Sequence, residues 1–407
     1  MKIFHITWEY PPNIVGGLGR HVFYLTKYLA KLGADVHVIT TDVEGRGFEN
    51  IEGVKVHRVD PFTLKSIDFI TWILNFNYLM IVKVLELVDE VGEPDVIHVH
   101  DWLTAYSGII LKHVLKVPLV TTIHATEIGR RGGIWSEDQR IIHDWEWRVT
   151  YESWKVVVCS DYMIGEVGRV FMLPPEKIVK IPNAIELSDI ERFEPEPGLK
   201  EKYASPHEKI IVFVGRHVYE KGPDLLVEAF NILINDFKRG DVKLVIVGDG
   251  PMREHLVSMV HKYGLRDKVY FTGRISDKEL FSLMKVSYVG VFPSRYEPFG
   301  IAILEAMSCG LPVIVPRHGG PSEIIRHGVE GFKISLDPRE IAERIRQLLD
   351  DTQLRDLMSV NARKRVKKLY TWDRIARFTL EVYRSISKEA KEKDWKHLWK
   401  RIPEKEK

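Results

Sequence analysis

The feature that most constrains this chain is an alternation that runs through it twice. Short β-branched runs, "KIFHIT", "DVHVITT", "VKVHRV", "VIHVH", "LVTTIH", "KVVVCS" and "IVKIPN", are spaced by helical patterns such as those near Gly19–Leu32 and Ile67–Val88. After a Pro- and Glu-rich break, "AIELSDIERFEPEPGLKEKY", a second series follows: "KIIVFVG", "VKLVIVGDG", "KVYFTG", "VGVFPS" and "LPVIVP". Strand, helix, strand in repetition builds a parallel sheet with helices on both faces. A chain of 407 residues also outgrows one ordinary core. The expected fold class is therefore α/β, two Rossmann-like doubly wound domains facing a central cleft. The expected division is an N-terminal domain over 1–185, a linker over 186–204 and a C-terminal domain over 205–370. A helix over 371–390 and a charged tail over 391–407, with Trp395 and Trp399, complete the chain.

Composition excludes several classes of function. A formal net charge of +2 offers no field to gather nucleic acid, and no basic stripe is interleaved with aromatics outside the tail. Cys159 and Cys309 are the only cysteines, each in an apolar run, which supports neither a disulfide framework nor a metal cluster and suits a reducing compartment. The opening residues read as a strand rather than a signal peptide, so a cytoplasmic location is expected. The longest uncharged run, Phe69 to Val82, is shorter than the roughly 20 residues of a membrane span, and no stable membrane insertion is expected.

Ligands in open α/β sheets bind outside the carboxyl ends of the strands, and the chemistry-bearing residues fall there. After the first strand, Gly16, Gly17 and Gly19 precede a helix whose N-terminal amides favour an anion such as a diphosphate; the plainer reading is a tight turn. Their spacing is not GxGxxG, which argues against a dinucleotide-binding oxidoreductase. In "VGRHVYEKGPD", Arg216 and Lys221 stand at a strand-to-helix junction, where two cations can clamp a pyrophosphate and stabilise a leaving group; solvated surface charge is the alternative.

Glu297 and Glu305 stand eight positions apart in "EPFGIAILE", one before an apolar helix and one inside it. At roughly 12 Å along a helix they are too far apart to share a proton. They suit two parts of one ligand, sugar hydroxyls and a ribose diol, with the amides of Phe299, Gly300 and Ile301 meeting phosphate. A capping acid and a buried ion pair are the structural alternatives. His98, His100, Asp101 and His124 at strand ends resemble metal ligands, but no higher-specificity zinc spacing is present, so no metal and no cofactor are expected.

Taken together, "GGLG", "HDW" at His100–Trp102, "GRHVYEKG" and the Glu-x7-Glu element resemble the GT-B retaining glycosyltransferases of families 4 and 5, which include glycogen and starch synthases. The resemblance covers nearly the whole chain. It implies that Arg216 and Lys221 bind donor phosphates and aid departure of the nucleotide. Glu297 would contact donor sugar hydroxyls, Glu305 the ribose, and His124 would stand near the reacting carbon. Gly16 and Gly17 would approach the phosphate, Arg274 would lie near the nucleobase, and Tyr296 and the "HGG" run at His318–Gly320 beside the same site. The implied reaction is hexosyl transfer from a nucleotide sugar, UDP-glucose or ADP-glucose, to the nonreducing end of an α-1,4-glucan.

Trp135 and Arg130, from a segment that also holds Trp145 and Trp147, and Asp101 of the "HDW" element are the acceptor candidates. Lipid, polyprenol-linked and small-sugar acceptors, an epimerase and a non-catalytic binder remain as alternatives. Ile14, Val15 and Arg20 depart from the glycogen synthase pattern, which carries a lysine before the glycines and an aspartate after them.

Overall fold

The computed structural model describes residues 1–14, 16–42 and 44–393; Val15 and the tail tryptophans Trp395 and Trp399 lie outside them. The chain divides into two compact units, Asn183–Thr371 and a first unit in which Met1–Pro182 is joined by the segment from Trp372 on.

In the first unit the strands are β1 (Lys2–Ile6), β2 (Asp35–Thr41), β3 (Phe48–Ile51), β4 (Val54–Val59), β5 (Val96–His100), β6 (Leu119–Ile123), β7 (Lys155–Val158) and β8 (Ile178–Lys180). Their order is β3-β4-β2-β1-β5-β6-β7-β8. All neighbours are parallel except β3 with β4. The central strands β5 and β6 are buried at every position, as expected of a sheet covered on both faces. β3 was not foreseen. Its "FENI" alternates exposed and half-buried residues at the sheet edge, and Glu52 and Gly53, with φ of 52° and 84°, turn the chain back into β4.

The principal helices of this unit are α1 (Gly17–Lys31), α2 (Phe69–Val91), α3 (Ala105–Leu115), α4 (Glu127–Arg131) and α5 (Glu137–Glu152). α5 opens with a capping box, Ser136 with Gln139, which satisfies two of its free amides. α2 is longer than the uncharged run within it. Among the described residues it is the one helix long and apolar enough to cross a membrane, by length and composition only. One face, Ile73, Phe76, Met80, Val84 and Leu87, is buried, and Asn77 on that face bonds the Leu103 carbonyl and the Ser107 amide. Lys83, Glu86, Asp89 and Glu90 do not end the helix because they sit on half-buried or exposed positions.

In the second unit β9 (Lys209–Val214), β10 (Val242–Val247), β11 (Val269–Gly273), β12 (Val289–Val291), β13 (Val313–Pro316) and β14 (Gly331–Ile334) form a parallel sheet in the order β11-β10-β9-β12-β13-β14. Its core joins Ile211 and Phe213 of β9 to Leu226 and Phe230 of the following helix and to Ile345 and Leu348 of a later one. The stretch 186–204, read above as a linker, carries two short helices, Leu187–Glu191 and Leu199–Tyr203, and belongs to this unit.

Each sheet reverses its winding once, between β1 and β5 and between β9 and β12. These two switch points are where an open α/β sheet leaves room for a ligand beyond its strand ends.

Candidate active site

At the second unit's switch point, the loops after β9 and β12 are strapped together. Lys221 lies in the turn Tyr219–Lys221 and Glu297 in the loop before the helix Ile301–Ser308; their side chains meet at 2.6 Å, both about four-fifths buried. Three further contacts hold that pair. The Tyr296 amide donates to the Glu220 carbonyl at 3.1 Å. The Gly320 amide donates to the Glu297 carbonyl at 3.0 Å. Arg295 forms a fork on Asp224 at 2.8 and 2.6 Å and lies 4.0 Å from the centre of the Tyr219 ring.

Gly222 has φ of 66°, and a Cβ there would come within 2.1 Å of the Pro293 carbonyl oxygen, so only glycine lets the two loops approach. Arg216 reaches outward, its side chain 68% exposed, with Glu220 3.9 Å away. Its charge is available to a ligand. Gly300, at φ of 111°, precedes the helix Ile301–Ser308, and Glu305 on that helix is buried. Phe299 is buried against Tyr370, ring centres 6.0 Å apart. Arg274 follows β11, two strand positions from β9, and is exposed.

In the first unit the strand ends hold a different set of groups. The Gly16 amide donates to the buried Glu9 carboxylate at 3.0 Å, and Gly17 begins α1. A Cβ on Gly19 would press on the same carboxylate at 2.8 Å. Asp101, just past β5, has φ of 55°, a conformation that costs a non-glycine residue about 1–3 kcal/mol. Its Oδ1 accepts the His124 amide at 2.7 Å, which pins the residue after β6. Burial raises the Asp101 carboxyl to about 6, against the pull of Arg130 and the amides of His124 and Ala125.

Arg130 is engaged. Its Nη2 donates to Glu127 at 3.0 Å and to Glu146 at 3.2 Å, and its Nη1 to the Ala125 carbonyl at 3.3 Å. Glu146 in turn accepts the Glu127 amide on both oxygens, at 2.9 and 3.0 Å, and burial raises its carboxyl to about 8. Trp135 is 77% exposed, its indole N–H on the Arg131 carbonyl. Trp145 is core, packed on Trp102 and Tyr106.

The strand-end histidines come together, with company the sequence did not announce. Ring nitrogens of His5, His98 and His100, and of His21, His100 and His124, fall in two groups whose members lie within 4.8 Å of one another, near enough to be drawn round one ion. In the structure the nitrogens of His98 are engaged by Tyr383 and Thr122, at 2.5 and 2.8 Å, and Asp101 turns its carboxylate to the backbone instead.

Comparison with known proteins decides the family. The pattern described as Glycosyl transferases group 1 matches residues 197–365, and that of Glycosyltransferase Family 4 matches residues 15–189. An uncharacterized glycosyltransferase of Methanocaldococcus jannaschii is 40% identical over 94% of this chain and 98% of its own. The chain belongs to the glycosyltransferases. A glycogen synthase of Mycobacterium tuberculosis is 33% identical, with 94% of each chain covered. The transferase fold is GT-B: a sucrose-phosphate synthase from Thermosynechococcus elongatus superposes with a TM-score of 0.79 over 95% of this chain and 98% of that one, at 24% identity.

Of the residues singled out from sequence, the transferase brings Lys221 and Glu297 into contact and sets Asp101, His124 and Arg130 in one part-buried network. Glu9, Glu127 and Glu146 were missed. In the sequence they look like any surface acid; only their burial marks them.

Proposed function

We propose that the transferase moves glucose, with retention of configuration, from UDP-glucose or ADP-glucose to the nonreducing end of an α-1,4-glucan. The observation that carries this reading is the Lys221–Glu297 pair at the second switch point, a cation and an acid held ready beside the exposed Arg216.

In the second unit, Arg216 and Lys221 take the donor phosphates and stabilise the charge that grows on the leaving diphosphate. The amides of Phe299, Gly300 and Ile301 add hydrogen bonds to it. Glu297, already aligned by Lys221, accepts from sugar hydroxyls; Glu305 accepts from the ribose diol, and Arg274 lies toward the base. In the first unit, the start of α1 offers phosphate the Gly17 amide, since the Gly16 amide is taken by Glu9, and His124 contacts the donor sugar. The acceptor is assigned to Trp135, whose ring is open to stack on a sugar, with Asp101 and Arg130. Because Arg130 is held by Glu127 and Glu146, it acts there as a fixed charge.

The relation to a glycogen synthase supports the glucan acceptor. A lipid-linked acceptor is the second reading, favoured by Phe69, Leu74, Tyr78 and Leu85, which α2 leaves exposed. A cytoplasmic setting belongs to the proposal, supported by two buried cysteines kept as thiols.

Mass spectrometry of a maltooligosaccharide primer, incubated separately with each donor, tests this. A ladder of added hexoses is expected. Nucleotide release with an unextended primer would transfer the assignment to a lipid or small-sugar acceptor.

A further inference from the structure

His5, His98 and His100 have no part in the reaction proposed above, yet they occupy one face of the central strands of the first unit. His5 stands opposite His98 in the β1–β5 ladder, and His98 and His100 share a face two residues apart. All three are at most 1% exposed. A buried polar nitrogen without a partner is costly, so rings at such positions are expected to be connected.

They are connected in series. His5 Nδ1 lies 3.2 Å from His100 Nε2, and His100 Nδ1 lies 3.4 Å from His124 Nε2. Beside this series His98, fixed by Tyr383 and Thr122, stacks on His100 with ring centres 4.3 Å apart and holds its plane. Burial keeps the rings neutral, lowering His5 to about 3, His124 to about 4 and His100 well below its ordinary value. A neutral imidazole has one N–H and one lone pair, so two linked contacts admit only two arrangements. Either every ring carries its proton on Nδ1 and donates toward His124, or every ring carries it on Nε2 and donates toward His5.

The far end decides between them. His5 Nε2 is buried and, among the described residues, has no hydrogen-bond partner. In the second arrangement that atom is an orphaned N–H; in the first it is an unused lone pair. Orphaned buried N–H groups are the rarer of the two in folded proteins. We propose that His5 and His100 are positioning residues that set the tautomer of His124, fixing its proton on Nδ1, the ring nitrogen turned away from His100. His124 is thereby a neutral donor with a defined direction instead of a mixture of two forms. Its use on the donor sugar rests on the function proposed above; the tautomer itself does not.

The test is a two-bond proton–nitrogen correlation spectrum of the full-length chain, labelled with 15N at histidine, in which the two neutral tautomers give distinct patterns. Signals are assigned by their loss in His5→Gln, His100→Phe and His124→Asn. The expected result is the Nδ1–H form for His5, His100 and His124. An Nε2–H form, or a mixture, at His100 or His124 overturns the proposal, as does stoichiometric zinc in the purified protein.

In His100→Phe, His124 should become a mixture of tautomers; a pure Nδ1–H form in the folded variant would show that the series is not the cause. If that variant does not fold, the parent spectrum decides alone. With tautomer control lost, kcat should fall about tenfold or more while the donor KM stays put. A parent protein that turns over no sugar nucleotide defeats the functional reading and leaves the spectrum to judge the tautomer.

Discussion

Beyond β9 and β12 the functional side chains are ionic and within reach of solvent: Lys221 meets Glu297, and Arg216 extends outward. Beyond β5 and β6 they are buried, and burial itself dominates their chemistry, lowering His124 and raising Asp101 and Glu146. The contrast is one of cost. An ion pair that keeps about a fifth of each side chain open to solvent can exchange its partner for a ligand phosphate. A buried set must be hydrogen-bonded throughout, and so gives up freedom in return for direction.

Acid should separate the two regions most widely. A histidine whose pKa is lower folded than unfolded stabilises the fold above about pH 6.5 and loses that stability as pH falls toward the folded value. His5 is lowered to about 3, and His57 and His124 to about 4, all by burial in the first unit. Between pH 7 and 5 His5 and His124 should each cost about 2 kcal/mol, and His57, more open to solvent, less. Every tryptophan of the chain lies outside Asn183–Thr371, so tryptophan fluorescence excludes the second unit. Its acid transition should precede loss of the far-ultraviolet dichroism, which both units share; coincident transitions would erase the contrast.

Arg130→Met removes one partner from a buried ionic network and should cost about 3–5 kcal/mol, read from urea unfolding by tryptophan fluorescence. A loss below 1 kcal/mol would mean the network is solvated after all. Lys221→Ala should show the opposite profile. Turnover should fall by about 10²–10³-fold, with the thermal midpoint nearly unchanged, since the pair serves a developing charge. A large drop in melting temperature with preserved kcat would make the pair structural.

The smallest effect concerns Asp101, raised to about 6. The stability attached to its protonated form is whole below about pH 4 and lost as pH rises through 6. Asp101→Asn should therefore be more stable than the parent at pH 7.5 by about 2–3 kcal/mol, and no more stable at pH 4. Equal differences at both values would show that the carboxyl titrates normally.

Much of this was legible beforehand. Strands buried on both faces announce themselves as continuous β-branched runs, and the residues after them are where ligands bind, so Arg216, Lys221, Glu297 and Asp101 could be picked out by position. β3 was not legible, because an edge strand with alternating exposure resembles a loop. α2 was legible as a helix near Ile67–Val88; the uncharged run Phe69–Val82 understates its apolar length because charge was counted along the chain, whereas a helix sorts charge by face. Glu9 and Glu146 gave no signal, since an acid that accepts buried amides has the same local sequence as one in water.

The order of elements, the two-sheet plan and the strand-end loops were determined by the sequence itself, because periods of two and of 3.6 residues are local properties. Only the tertiary structure decided which polar groups are partners. Lys221 finds Glu297 across 76 residues, His5 finds His100 across 95, and His98 finds Tyr383 across 285. Those pairings follow from strand register and from the return of the C-terminal helix to the first unit. No local pattern encodes either, and the tautomer of His124 is inherited from them.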